Sequence, residues 1–165
     1  MSTLLERLSK YKDNRGMMAN LRCVLVENKK HRAWPVLNRL GVAINDDISA
    51  YVAGLFATHP EGTTNGNFGA TCKAIEQKRG DKRSDDNKLT LTPTERRVQH
   101  LLAAEGWDEL QNRVMRMVLM AKSQGVPVNY AKLETDLKFW NDRTKTEWAA
   151  AFWTQGATPA TEEDI

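Results

Sequence analysis

The hydrophobic residues of this chain recur three and four positions apart through nearly every segment, and no segment sustains strand alternation between turn signals. That spacing predicts an all-α protein, a helical bundle of about nine helices in two packed halves. The clearest case is the run from Tyr51 to Pro60, where Val52, Leu55 and Phe56 fall at i, i+3 and i+4 and then give way to a polar loop. Pro60 biases His59 away from helical dihedrals, Gly62, Asn65 and Gly66 favour turns, and Asn67 stands where it can cap the next helix.

The same reading divides the rest of the chain. Leu4, Leu5, Leu8 and Tyr11 form a first stripe behind Ser2 or Thr3 as cap, Met17, Met18, Leu21, Val24 and Leu25 a second, and Trp34, Leu37 and Leu40 a third that stops at Gly41. Asp46 and Asp47 open the helix that ends near Thr58, and a fifth runs from Phe68 to Lys78. Thr92, Pro93 and Glu95 supply a threonine cap, a proline at the first helical position and a glutamate at the third, the capping-box pattern. Gly106 separates this helix from the next, the run Gly125-Val-Pro127 ends that one, and two more span about 129–140 and 142–155. The expected organisation is an N-terminal helical half over 1–78, a mobile charged loop over 79–91, a C-terminal bundle over 92–155 and a frayed acidic tail over 156–165.

Charge is segregated along the chain although the formal net charge is only +3. Residues 1–41 hold nine Lys or Arg against three acids, 42–72 hold no Lys or Arg, and 73–100 hold eight against five acids. Clustered cations suit phosphate contact, and solvated helix faces produce the same counts. Cys23 and Cys72 are isolated, without CxxC or Cys/His spacing, and read as reduced, small apolar residues in a cytoplasmic protein. No apolar run approaches the ~18 residues of a membrane span.

No nucleophile, metal or phosphate-loop constellation accompanies these features, so an enzyme is not expected and neither is a cofactor or a metal. His59 lacks a Ser, Cys or carboxylate at usable spacing, His31 and His100 lack ligand partners, and Glu95 is accounted for by its capping box. Trp107, Trp140, Trp148 and Trp153 fall at helical spacing with Leu and Phe, which favours core packing over base stacking. The arginines admit two readings. Arg15 and Arg22 share a helix side and Arg113 and Arg116 lie one turn apart, as phosphate contacts would, yet exposed Arg equally pairs with Glu on its own helix. Arg96 and Arg97 point about 100° apart on a helix, so at most one faces a groove squarely.

The order of motifs resembles the CasB family, the small subunit of type I-E CRISPR effector complexes. In the C-terminal half the match is carried by Glu95-Arg96-Arg97, Arg113 and Arg116, Val126 to Tyr130, Asp136-Leu137, Phe139-Trp140 and Trp148-Ala-Ala-Ala-Phe-Trp153. In the N-terminal half Arg15-Gly16 and Ala19-Asn-Leu21-Arg22 are similar to the family's Arg-Gly-x-x-Ala-x-Leu-Arg-Arg segment. Five positions depart from the pattern: Cys23 replaces the second Arg of Leu-Arg-Arg, Asn129-Tyr130 replaces Asp-Trp, and Ala150 and Ala151 stand where a charged residue is usual.

The resemblance implies a non-catalytic subunit that contacts the backbone subunits of a guide-RNA filament, sits head to tail with a second copy, and steadies target and displaced DNA strands of an R-loop. On that reading Arg15, Arg22, Arg97, Arg113, Arg116 and Arg143 are the nucleic-acid-binding residues, meeting guide RNA and target DNA through phosphates and without sequence preference. The competing expectation is a helical scaffold or regulatory protein that binds only other proteins.

Overall fold

A computed structural model of the chain describes residues 3–82 and 90–154. These form nine α-helices: α1 Leu4–Lys10, α2 Arg15–Arg22, α3 Trp34–Arg39, α4 Asp47–Thr58, α5 Phe68–Arg79, α6 Pro93–Leu102, α7 Gly106–Gln124, α8 Tyr130–Lys138 and α9 Asp142–Trp153. Two 3-10 segments, Cys23–Leu25 and Glu27–Arg32, lie between α2 and α3. No strand occurs among the described residues; Gly62 and Val128 form an isolated parallel bridge. The fold is all-α, as the periodicity requires.

Helix starts follow the short polar residues. Thr3 and Glu6, and again Thr92 and Glu95, complete capping boxes, and the side chains of Asn14, Asp46, Asn67, Asn129 and Asn141 each accept a hydrogen bond from a first-turn amide. Each such cap contributes about 1 kcal/mol. The α7 helix stops at Gly125, whose φ of +67° lies in the left-handed region that side-chain-bearing residues resist. The second stripe is interrupted: α2 ends at Arg22 and the chain tightens into 3-10 turns, which set Val24 and Leu25 against Gly54 of α4.

The described helices group into two units, each with its own core. One comprises Met1–Asn65 with Val128–Phe139, so that α8 belongs with α1 to α4; the other comprises Gly66–Pro127 with Trp140–Ile165, joining α5, α6, α7 and α9. This grouping cuts across the expected division into 1–78 and 92–155. The reason lies in two pairings remote in sequence. Val128 donates its N–H to the Glu61 carbonyl at 3.0 Å and accepts from the Thr63 N–H at 3.1 Å, and the Tyr130 hydroxyl donates to the carbonyl of His59 at the end of α4. In the other unit Gly69 of α5 lets the helix backbone approach α9 at Trp148, where Phe68 and Trp148 rings lie 5.2 Å apart.

Burial sorts the aromatic residues. Trp148 and Phe152 are fully buried, and Trp107, Trp140 and Trp153 are partly covered, in keeping with packing. Trp34 departs from its expected stripe and keeps 45% of its surface exposed, because the buried face of this short segment runs through Ala33, Val36, Leu37 and Leu40. Glu95 is buried and joins two elements: its carboxylate accepts from the Thr92 N–H at 2.9 Å and from the Trp153 indole N–H at 2.9 Å. His59 is buried, as the residue that caps the C-terminal end of α4.

Of the expected mobile loop over 79–91, residues 83–89 lie outside the described residues, as does the tail over 156–165. The beginning of that segment is anchored. Arg79 ends α5, Gly80 caps it, and the Asp81 carboxylate accepts from the Thr94 N–H at 3.0 Å, from the Thr94 hydroxyl and from Arg79 Nε at 3.0 Å. Desolvation pushes the Asp81 carboxyl up, but the hydrogen bonds from Thr94 and Arg79 outweigh it and hold the group below its ordinary range. A depressed carboxylate stabilises the fold above the unfolded-state value of about 3.9 and loses that contribution as pH falls through the lower folded value. The substitution Asp81→Asn should therefore lower stability at pH 7 by about 1–2 kcal/mol, with the deficit shrinking below about pH 4. Urea titrations of both proteins at pH 7 and pH 3 check this; an equal deficit at both values would contradict the charge-dependent account.

Candidate nucleic-acid interface

The six arginines singled out by sequence divide into two groups by what their guanidiniums touch. Arg22, at the end of α2, donates to the Ala57 carbonyl at 3.1 Å, in the last turn of α4. Arg113, in α7, donates to the His100 carbonyl at 2.7 Å, in the last turn of α6, and pairs with Glu109 at 3.2 Å. Both place a cation on the negative end of a neighbouring helix, where orphan carbonyls and the helix dipole favour it. Arg113 is only 18% exposed at its side chain. These two residues have a structural task already, and each unit contains one of them.

Arg143 is 88% exposed and lies 3.2 Å from Glu147 one turn along α9. Such an exposed pair contributes at most about 1 kcal/mol and yields readily to a stronger anion. Arg15, Arg97 and Arg116 are exposed and engage no ion pair or side-chain hydrogen bond among the described residues. Arg96 is exposed in the same way, so neither member of the Arg96-Arg97 pair caps a helix or forms an ion pair among the described residues.

Arg15 occupies the first position of α2, behind the Asn14 cap. A cation there faces the positive end of the dipole, an arrangement disfavoured by about 0.3–1 kcal/mol. Helix stability gives no reason for an arginine at this place; an external anion would, because the same end of the helix attracts it. Within the second unit, the Arg113 bond fastens α7 to α6, the helix that carries Arg97, and Arg116 follows Arg113 by one turn.

Other features of the described residues offer little chemistry. No three His, Cys, Asp or Glu side chains stand close enough together to hold a metal ion. Cys72 is buried, and burial pushes its thiol well above the ordinary range, while Cys23 shares its thiol proton with the Ala19 carbonyl at 3.5 Å. A groove of about 330 Å³ in the first unit is lined by Ser9, Lys12, Phe56, Thr63, Asn129 and Tyr130 among others. It contains no carboxylate, imidazole or thiol, and the Tyr130 hydroxyl is committed to the His59 carbonyl, with burial pushing that phenol up. Among the described residues no helix is long and apolar enough to cross a membrane.

Residues 17–153 match the family model described as CRISPR-associated protein Cse2. The chain belongs to the Cse2 family. It is thereby one of the subunits of the CRISPR effector complex Cascade, and other proteins of that complex are its partners. Solved structures agree in fold. A Cse2 family protein from Thermus thermophilus, TTHB189, is 18% identical with a TM-score of 0.70, the match covering 90% of this chain and 94% of that one. CasB from Thermus thermophilus is 19% identical with a TM-score of 0.67 over the same shares of the two chains. M. ruber CasB is 23% identical with a TM-score of 0.55, covering 94% of this chain and 87% of that one. No curated protein matches the sequence. For this Cse2 family member the likeness extends over both units, since the matched span reaches from α2 to α9.

Proposed function

We propose that this chain is a non-catalytic small subunit of a type I-E RNA-guided surveillance complex in the cytoplasm. It contacts the subunits that coat the guide RNA and steadies the target and displaced DNA strands of the R-loop through phosphate contacts. A second copy lies head to tail beside it. The observation that carries this reading is the set of exposed guanidiniums without partners among the described residues, Arg15, Arg97 and Arg116, with Arg15 at a helix end that disfavours a cation. R-loop formation exchanges one duplex for another of similar stability, so a few sequence-independent backbone contacts are enough to tip it. Arginine suits the task, because its planar fork meets phosphate oxygens in pairs.

The scaffold reading draws on Arg22, Arg113 and Arg143, whose charges are used within the chain. It requires no nucleic acid. Affinity purification of the tagged chain from its native host, at low salt, tests whether it travels with an RNA-bearing complex; neutralising its partner-free arginines inside that complex then separates the two. Recovery with several partner proteins and short RNAs flanked by one common repeat is the expected result. Recovery of the partner proteins without RNA or DNA would remove the nucleic-acid part of the proposal.

A further inference from the structure

The 3-10 helix Glu27–Arg32 and the start of α3 carry a surface that the core does not use. In a 3-10 helix residues three apart eclipse one another, so the segment presents three columns. One contains Glu27, Lys30 and the buried Ala33, and Lys30 is paired with Glu27 at 2.8 Å. That column turns toward the protein at its end. A second contains Asn28, His31 and Trp34, and the His31 and Trp34 rings meet edge to face with centroids 6.4 Å apart. The third contains Lys29 and Arg32, both exposed and both without an ion pair among the described residues. The two outward columns are neighbours. An indole with 45% of its surface exposed therefore lies on the column next to that of two unneutralised cations, in a stretch whose single acid is already paired.

Trp34 leaves 45% of its surface exposed, while α3 buries Val36 and Leu37. An exposed indole face can stack on a flat partner and gains by being covered. The cover that fits both columns is an unpaired nucleotide: its base offers a flat face to the indole and its flanking phosphates reach Lys29 and Arg32, about 6 Å apart along the helix axis. A duplex fits less well, since its base faces are stacked inside. A protein partner would have to bring two separate acids around an apolar cap, whereas a single strand supplies anion and ring together. We propose that Trp34, Lys29 and Arg32 form a stacking site for single-stranded nucleic acid. The proposal rests on the nucleic-acid reading given above, and adds to it a site that the arginine pattern does not contain.

The test uses the purified full chain and a fluorescein-labelled oligothymidine of about 12 nucleotides, titrated at several salt concentrations. Trp34→Ala should weaken binding by about 5- to 100-fold, and Trp34→Phe should restore most of it. The Trp34→Ala change should leave the slope of log affinity against log salt unchanged, because it removes stacking and no charge. The double change Lys29→Gln and Arg32→Gln should reduce that slope by about 1.4, at about 0.7 per single-strand phosphate. Thermal unfolding of each variant controls for folding, and a near-half-exposed indole should be replaceable with little loss. Three results would overturn the site. If the oligomer binds, and binding weakens when Arg15, Arg97 and Arg116 are neutralised yet ignores Trp34→Ala, the stacking site is wrong and the nucleic-acid reading stands. If Trp34→Ala leaves oligomer binding intact but releases a protein subunit from the assembled complex, the surface is a protein contact. If the wild-type chain ignores the oligomer even at low salt, the site falls, and the native purification decides the wider reading.

Discussion

The substitution Gly69→Ala is expected to lower the unfolding midpoint by about 6–12 °C. Gly69 lies in the first turn of α5, and a Cβ placed there would overlap the Trp148 carbonyl oxygen and sit 2.7 Å from its carbonyl carbon and 2.8 Å from its Cα. All three obstacles are backbone of α9, so no rotamer change can relieve them. The two helices would have to part, and parting them opens the contact between Phe68 and the buried Trp148. Overpacking of this kind costs about 1–3 kcal/mol, and a backbone obstacle belongs at the upper end. At roughly 2–4 °C per kcal/mol for a domain of this length, about 3 kcal/mol gives the stated shift. Gly54→Ala makes the useful contrast, because its nearest neighbours are the Val24 and Leu25 side chains, which can move. Circular dichroism melts of both variants check the argument; a Gly69→Ala melt within about 2 °C of wild type would mean that α5 and α9 are not held at this distance.

That contact also marks what a single sequence reveals and what it hides. Helices were legible because each needs an apolar face every three to four residues and a short polar residue to satisfy its first amides. Thr92, Pro93 and Glu95 announce α6, and the structure completes their capping box. The grouping of helices was not legible, because it depends on partners far apart in sequence. Tyr130 meets the His59 carbonyl 71 residues away, and the indole of Trp153 meets Glu95 58 residues away. Nothing in the local pattern of α5 says that it packs on α9 while α8 packs on α4. Gly69 was a clue that periodicity undervalues: a glycine inside a helix is costly by about 1 kcal/mol and so points to a close approach.

The candidate site shows the same limit. Spacing put Arg15 with Arg22 and Arg113 with Arg116, and those pairs do share helices. Spacing could not separate a guanidinium that meets the solvent from one that caps a remote helix end. The Ala57 carbonyl lies 35 residues from Arg22, and the His100 carbonyl 13 residues from Arg113. Trp34 failed in the opposite direction, since its place in a stripe suggested burial. In a helix of six residues the inward face is narrow, and a residue about 100° from Ala33 falls at its margin.

This division of the arginines dictates the second experiment. Neutralising Arg22 or Arg113 would strip a cap from α4 or α6, and a loss of DNA binding could then be a loss of structure. Arg15, Arg97 and Arg116 carry no such bond among the described residues, so changing all three to glutamine should leave the melting temperature within a few degrees of wild type. In the assembled complex the same triple change should weaken target-DNA binding by about a hundredfold at 0.1 M salt. Each single-strand phosphate contact contributes a slope of about 0.7 in log affinity against log salt, so the three of one copy contribute about two decades between 0.1 M and 1 M. The slope itself should fall by about 2 for each copy that meets DNA, which distinguishes lost phosphate contacts from a misassembled complex, where affinity falls without this change in salt dependence. An unchanged affinity and slope, with the variant present in the complex at its normal amount, would mean that these cations do not meet DNA. The free guanidiniums would then belong to subunit contacts, and the scaffold reading would account for the chain with Arg15 facing an acidic partner instead of a phosphate.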